Sequence, residues 1–380
     1  MIHIVTIKDK IQLYKGEEPA NAIELLSLEE FGFQLVSQKD LYQVGDEAIF
    51  IEPDYNLPDN NPLFDSFVRP NGDPKKSRLG SHLRIRAVKF NLHTGDGVPV
   101  YSNGIILPIG EVEEYAKVNL NDLSGLGEDL GIYKYEVPEK GQQGNIKQGA
   151  SREFPQGLYK TDEVNFNKVN WTFPMHLIGM LKCDGSSCTI YSTNKVQGIC
   201  SRNLEKPITY LKKTGFKKGL WYKFLSYFGY DRGIYTMVDS ESEFVKVGKP
   251  YLEELVSHTL FGNKGMALRG ELIGKGASNG SGNKNNPHKD VEPQILFFGA
   301  DWYDGKKCER MDFISFMEVL GYLNFKHPTI VFDKVFETRE ELLKACDSYF
   351  SNNMIEGIVV RSPDGKFSAK CMSNEYDSKK

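Results

Sequence analysis

Residues 137–150 read Val-Pro-Glu-Lys-Gly-Gln-Gln-Gly-Asn-Ile-Lys-Gln-Gly-Ala, a stretch rich in glycine and almost without large apolar side chains. Such a segment offers no face for packing and reads as a linker. It constrains the fold more than any other feature, because it divides the 380-residue chain into 1–136 and 151–380. Each part is long enough to bury a core of its own.

The first part reads as strands. Short apolar runs at 2–7, 33–36, 47–51, 83–90 and 104–108 alternate with turn signals; Gly45-Asp46 precedes one run, and Pro53, Asp54, Pro58, Asn60 and Pro62 follow it. Many short strands with polar loops fit a small β-barrel or sandwich, with an OB-fold as the natural candidate. The second part mixes element types. Helical spacing with charge marks 251–260 and 339–349, whereas 268–273, 295–300 and 357–361 read as buried strands. Residues 274–289, rich in Gly, Asn and Lys, read as a flexible loop. The expected class is α+β.

The hydrophobic and charged fractions, 40% and 26%, are those of a globular protein. No run of 18 apolar residues occurs, so no membrane span is expected, and residues 1–10 read as a strand and not as a signal peptide. Six cysteines, at 183, 188, 200, 308, 346 and 371, form no C-x-x-C pair. A zinc site is therefore not expected, and reduced thiols fit an intracellular, cytoplasmic protein. With a net charge of −4, any grip on nucleic acid must be local.

Four segments after the linker carry the chemistry: Leu-Lys-Cys-Asp-Gly-Ser-Ser at 181–187, Leu-Arg-Gly-Glu-Leu-Ile-Gly at 268–274, Glu-Gly-Ile-Val-Val-Arg at 356–361 and Lys-Phe-Ser-Ala-Lys at 366–370. Each alone is a weak signal; their order together is a strong one. Lys182 ends an apolar run and precedes an Asp-Gly turn, which presents an amine at a pocket mouth. A free lysine has a pKa of about 10.4 and must lose its proton to attack phosphorus. Burial and neighbouring cations, Lys370 among them, are expected to lower that pKa. Gly185 is expected to let the backbone approach a nucleotide closely. Glu271 and Glu356 sit among apolar residues, where a carboxylate needs a partner. Ribose hydroxyls or metal-bound waters would serve, and so would a structural ion pair with Arg269 or Arg361. Asp184 is the remaining hard oxygen donor for Mg²⁺. Arg202, after a strand-like run, offers a planar fork for a phosphate or is an ordinary strand-end arginine.

These segments resemble the motifs of the covalent nucleotidyltransferases, which include ATP- and NAD-dependent ligases and mRNA capping enzymes. Further stretches are similar to the Naegleria-type RNA ligases, which join an OB domain to a ligase catalytic domain. They include Val44-Gly45-Asp46, Ile51-Glu52-Pro53-Asp54, the runs at 83–89, 102–108 and 130–136, Lys160-Thr161-Asp162-Glu163 and Ser373-Asn374-Glu375-Tyr376. The resemblance implies an OB-like barrel over 1–136 and an adenylyltransferase domain over 151–380, ATP-grasp-like, with antiparallel sheets and helices. It implies attack of Lys182 on ATP to give lysyl-AMP, transfer of AMP to an RNA 5′-phosphate, and sealing by a 3′-hydroxyl. Arg202 and Glu271 would contact phosphate or ribose. Glu356 and Asp184 would hold the waters of Mg²⁺ or Mn²⁺, Lys370 would touch the α-phosphate, and Val359 would pack on the adenine. The partner would be RNA, as a nicked duplex or broken ends, and the enzyme a monomer. A capping-type guanylyltransferase, a DNA ligase and a non-catalytic nucleic-acid-binding relative are the competing readings. The first two usually place an OB domain after the catalytic domain, and only 371–380 follows Lys370.

Two departures stand out. Ala300 stands where an aromatic residue is usual, so Phe298, two residues earlier and expected on the same strand face, is assigned to the other face of the adenine. Ser368 and Met372 flank Lys370 where a second lysine is usual, so either the site works with one lysine or Lys366 compensates. The insertion 205–248 interleaves Tyr210, Lys212, Lys213, Phe216, Lys217, Lys218, Trp221, Tyr222, Lys223 and Phe224. It reads either as a nucleic-acid contact or as an amphipathic helix packed on the core. Lys75, Lys76, Arg78, Arg84, Arg86 and Lys89 form a basic cluster suited to phosphates, and removal of 1–136 is expected to spare lysine chemistry.

Overall fold

One long strand, Ile2–Lys15, organises the first region of the computed structural model, which describes residues 1–117, 123, 125–135, 150–218, 233–258, 265–276 and 283–379. The linker stretch 137–149 lies outside the described residues. The strand pairs antiparallel with Glu47–Ile51 through its first half and with Glu18–Leu28 through its second. Irregular pairing between Ile7 and Asp9 and between Gln12 and Tyr14 bends it, as bulges do. The resulting five-stranded antiparallel sheet runs Gln34–Gln38, Glu18–Leu28, Ile2–Lys15, Glu47–Ile51, Ile105–Pro108. It curls until the Val36 N–H donates to Ser102 Oγ at 3.0 Å. In Glu47–Ile51, Phe50 packs with Val5, Ile7 and Leu26, while Ile49 and Ile51 pack on the opposite side with Phe64 and Leu107. Burial on both faces explains why that run shows no alternation. The strand Glu18–Leu28 has no clear sequence signal because its first half is polar and largely exposed. The expected strand at 83–90 is shorter: a 3-10 turn at Ser81–Leu83 precedes a strand at Ala87–Phe90.

The second region holds two larger sheets. One has seven strands in the order Arg152–Glu153, Leu204–Lys206, Gln197–Cys200, Ser186–Ser192, Met266–Ile273, Gln294–Tyr303, Cys308–Arg310. Helices Glu243–Ser257 and Phe313–Leu323 cover one face, burying Leu252, Leu268, Phe297, Ala300, Phe316 and Leu320 together. The other sheet has five strands in the order Val164–Asn165, Ser368–Met372, Gly357–Arg361, Met175–Lys182, Ile330–Phe336. The helix Arg339–Phe350 lies over it, with Leu342 and Cys346 against Ile358, Val360 and Ala369. The chain crosses directly from one sheet to the other at 183–185, between Met175–Lys182 and Ser186–Ser192.

The basic and aromatic stretch of the insertion is not helical where it is described, although the last residues, 243–248, open a helix. Thr209–Phe216 and Gly233–Asp239 form an antiparallel ribbon, and 219–232 lies outside the described residues. The strands at 268–273, 295–300 and 357–361 and the helix at 339–349 appear where the spacing places them. The helix expected at 251–260 begins earlier, at Glu243. Among the described residues no helix is long and apolar enough to cross a membrane.

The two regions meet at the C-terminal helix Asn374–Ser378. Arg84 pairs with Asp377 at 3.1 Å and with Asp54 at 2.5 Å; the Ala87 N–H donates to Asp377 at 2.8 Å, and Lys89 pairs with Glu375 at 2.8 Å. Arg84 and Lys89 therefore hold a helix of this chain, so they are not free members of the basic cluster read from the sequence.

Candidate active site

Alternation along the strands decides what faces the cleft between the two large sheets. In the five-stranded sheet Leu177, Ile358, Val360, Ala369 and Cys371 face the covering helix. Their neighbours Lys182, Val359, Arg361 and Lys370 consequently face the other way. Lys182 ends its strand opposite Gly357, and Val359 pairs with both Met180 and Lys370.

Lys182 Nζ donates to Glu356 Oε2 at 2.5 Å, with the lysine side chain 24% exposed and the glutamate 7%. Burial pulls the lysine's pKa down, but the carboxylates of Glu356 and Glu271 more than offset it, and the amine is held protonated more firmly than a free lysine. The expected lowering by neighbouring cations is thus reversed: the near neighbours are anions, and Lys370 turns to Asp162 at 3.8 Å. Burial, and then the proximity of Glu356, Glu163 and Asp184 against the pull of Lys182, push the Glu271 carboxyl up to about 8. This end of the cleft carries more negative than positive charge.

Asp184 follows within the crossover turn. Its carboxylate accepts from the Tyr376 hydroxyl at 2.9 Å and from Asn283 Nδ2 at 3.1 Å, and its carbonyl accepts from Asn286 Nδ2 at 2.7 Å. The asparagines lie in the segment read as a flexible loop; its described flanks make specific contacts, and 277–282 lies outside the described residues. Gly185 is required by a close approach, though to protein: a Cβ there would lie 2.5 Å from the Leu272 carbonyl and 2.7 Å from Glu271 Cγ.

Arg269 and Arg361, the alternative partners for Glu271 and Glu356, are committed elsewhere. Arg269 Nε donates to Asp301 at 2.7 Å, both nearly fully buried, and Arg361 donates to Glu163 at 3.0 Å. Burial disfavours the ionised Glu163, but Arg361 and Lys182 outweigh it and hold its carboxyl below the usual range. Gly299 makes room for this network, since a Cβ would lie 2.6 Å from Arg269 Nη2. The adjoining register shift, in which Arg269 faces Gly299 but Gly270 faces Phe297, leaves Phe298 as an extra residue. Phe298 therefore does not share a face with Ala300, as alternation alone would have it. Ala300 joins Phe297 in the core, while Phe298 lies under the Arg361 guanidinium at 5.0 Å. Arg361 Nε is buried with no hydrogen-bond partner among the described residues, beside Phe298 and on the strand face that Val359 shares.

Arg202 sits at the rim, donating to Asp162 at 3.3 Å. Lys366 is exposed in the turn at the far end of its hairpin from Gly357 and Met372, so it does not replace a second lysine beside Lys370. Sequence reasoning missed Asn283, Asn286 and the role of Tyr376; the Ser-Asn-Glu-Tyr run was the available signal for the last.

The fold and this lysine-centred cleft define a ligase-type catalytic domain. A sequence profile of RNA ligases matches residues 176–372, and the chain belongs to the RNA ligase family. Solved structures share the whole fold. Naegleria gruberi RNA ligase, in a mutant form with AMP and Mn, aligns with a TM-score of 0.69 at 23% identity, covering 100% of this chain and 98% of that one. The same enzyme with PPi gives 0.68 at 23%, covering 99% and 97%, and a mutant with ATP and Mn gives 0.67 at 23%, also covering 99% and 97%. Comparison with curated protein sequences gives no match.

Proposed function

We propose that this chain is an ATP-dependent RNA ligase that joins a 3′-hydroxyl to a 5′-phosphate through lysyl-AMP and AMP-RNA. The observation that carries the reading is the Lys182–Glu356 pair at the sheet crossover, beside Glu271 and Asp184, inside the segment matched by the RNA ligase profile. The solved relatives named above hold ATP, AMP, Mn and PPi, which supports ATP as the nucleotide.

The residues present fit both a nucleotide and a divalent cation. Arg361 Nε is a buried donor lacking an acceptor among the described residues, beside Phe298 and on the face that Val359 shares, as a donor for a nucleotide would be. The carboxylates around Lys182 are short of positive charge, and they are hard donors. Among the described residues no three such groups cluster closely enough to hold a metal directly, so Glu356 and Asp184 would hold Mg²⁺ or Mn²⁺ through its waters. The cation supplies neutralisation of carboxylate and phosphate charge.

In this reading Lys182 is the nucleophile, and Glu356 holds its amine and the proton it must lose. Glu271 contacts ribose or phosphate, with Gly185 packed against it. Lys370 and Arg202 bind phosphate oxygens, where Lys370 stabilises charge developing on the α-phosphate. Val359 and Phe298 flank the adenine. Residues 1–136 form an OB-like domain, 137–150 the linker and 151–380 the catalytic domain of an intracellular monomer that acts on nicked or broken RNA. Incubation with α-labelled ATP, GTP or NAD and a divalent cation, followed by denaturation and peptide mapping, tests the chemistry. The expected result is a label on Lys182 from ATP alone. Joining assays on nicked duplex and single-stranded RNA then identify the substrate; a label without any RNA joining would refute the ligase reading.

A further inference from the structure

Asp162 is surrounded by three cations from three parts of the chain. Lys134 Nζ lies 3.6 Å from its carboxylate, Arg202 Nη2 3.3 Å and Lys370 Nζ 3.8 Å. A fourth, Lys160, reaches Asn203 beside Arg202 at 3.4 Å. In a chain of net charge −4, one carboxylate facing three or four cations is a local excess of positive charge.

The backbone of this segment is fixed while the Asp162 side chain stays accessible. Thr161 Oγ1 and Ser187 Oγ share a hydrogen bond of 2.5 Å, and Glu163 is clasped by Arg361 at 3.0 Å. Val164–Asn165 then pairs parallel with Ala369 and Lys370. Between these anchors Asp162 remains half-exposed, as do Lys134 and Arg202. Ion pairs this exposed contribute little to stability. They do not by themselves explain the convergence of three cations on one carboxylate. A phosphate group, with more charge and more acceptor oxygens than a carboxylate, matches them better.

We propose that Lys134, Arg202 and Lys370 form one phosphate subsite, completed by the first region through Lys134, and that Asp162 fills it until a phosphate displaces it. The inference rests on the ligase reading for Arg202 and Lys370, and adds Lys134 as a ligand and Asp162 as an internal competitor. The phosphate belongs either to the nucleotide's triphosphate or to the RNA 5′ end.

The full-length protein is titrated with inorganic pyrophosphate by calorimetry, as wild type, Asp162→Asn, Lys134→Ala and Lys134→Arg. Loss of about 1 kcal/mol of competition or attraction corresponds to about a fivefold change. Asp162→Asn is expected to bind about fivefold tighter, Lys134→Ala about fivefold weaker, and Lys134→Arg near wild type. The KM for ATP in lysine labelling and the KM for 5′-phosphorylated RNA in AMP transfer separate the sources: the one that shifts in step with pyrophosphate identifies the phosphate. Weaker or unchanged binding by Asp162→Asn, or unchanged binding by Lys134→Ala, overturns the subsite. Failure of the wild type to label Lys182 overturns the ligase reading instead, while the calorimetric result still decides the subsite.

Discussion

Two clusters of ionised groups line the cleft between the large sheets, and they are built to different plans. In one, Arg269 clasps Asp301 and Arg361 clasps Glu163, each guanidinium meeting its own carboxylate at 2.7–3.0 Å. In the other, a single amine, Lys182, faces Glu356 and Glu271 with Asp184 alongside. The first cluster is paired guanidinium to carboxylate and organises the sheets. The second sets several carboxylates around one amine, a balance that favours a cation. Ionisable residues of similar burial thus separate into structural and reactive groups by local charge balance.

The sharpest break between them is Lys182→Ala. It is expected to abolish covalent AMP transfer completely, since no other amine occupies the crossover, while the chain still folds. Acid-stable labelling at comparable yield would refute the assignment. Arg269→Ala is the counterpart in the paired cluster. It leaves Asp301 buried without its partner and should cost about 3–5 kcal/mol of stability, measured by urea unfolding. A loss under about 1 kcal/mol would show that the pair is not structural and would erase the distinction.

Tyr376 probes a link between the Lys182 cluster and the first region. Its hydroxyl holds Asp184, while Glu375 and Asp377 on either side are held by Lys89, Tyr101 and Arg84. Tyr376→Phe should slow lysine adenylylation about 10–100-fold, the usual loss when a partner of a metal-site ligand is removed. Deletion of 1–136 removes the groups that seat this helix, so it should slow the same step; the regions are less separable than the linker implies. Unchanged labelling rates in both variants would rule out the link.

The four motif segments were legible because their chemistry is local: a lysine at a strand end, glutamates beside glycines, a regular period of two. Alternation puts Lys182, Val359 and Lys370 on one face once the pairing of their strands is known. It failed at Phe298, where an extra residue breaks the period, and nothing in Phe-Phe-Gly-Ala announces a bulge. It also failed for the Lys182 environment, since the carboxylates that raise its pKa come from segments about 90 and 170 residues away in sequence. The ribbon at 209–239 defeated the reading because lysines interleaved with aromatics fit a helix face and an exposed strand pair equally well. Tyr376, Asp162 and Lys134 act through tertiary contacts that no spacing encodes.

The smallest expected effect tests the Lys182 cluster through pH. Glu271 carries a folded-state pKa of about 8, raised first by burial and then by the surrounding carboxylates, against about 4.3 in an unfolded chain. A raised carboxyl binds its proton more tightly in the folded state. Its contribution to stability is therefore fully present below about pH 4.3 and declines as pH rises through about 8, where the folded protein must ionise the group in an anionic site. Glu271→Gln cannot ionise and is spared that decline. Without nucleotide or divalent cation, the variant and the wild type should melt at similar temperatures near pH 4.5. The variant should melt higher by several degrees near pH 8.5, a shift expected from about 1–2 kcal/mol. Added Mg²⁺ should narrow the gap at high pH by stabilising the ionised wild type alone. A melting difference independent of pH would mean that Glu271 is neutralised inside the protein, and that the cluster around Lys182 is as fully paired as the one around Arg269.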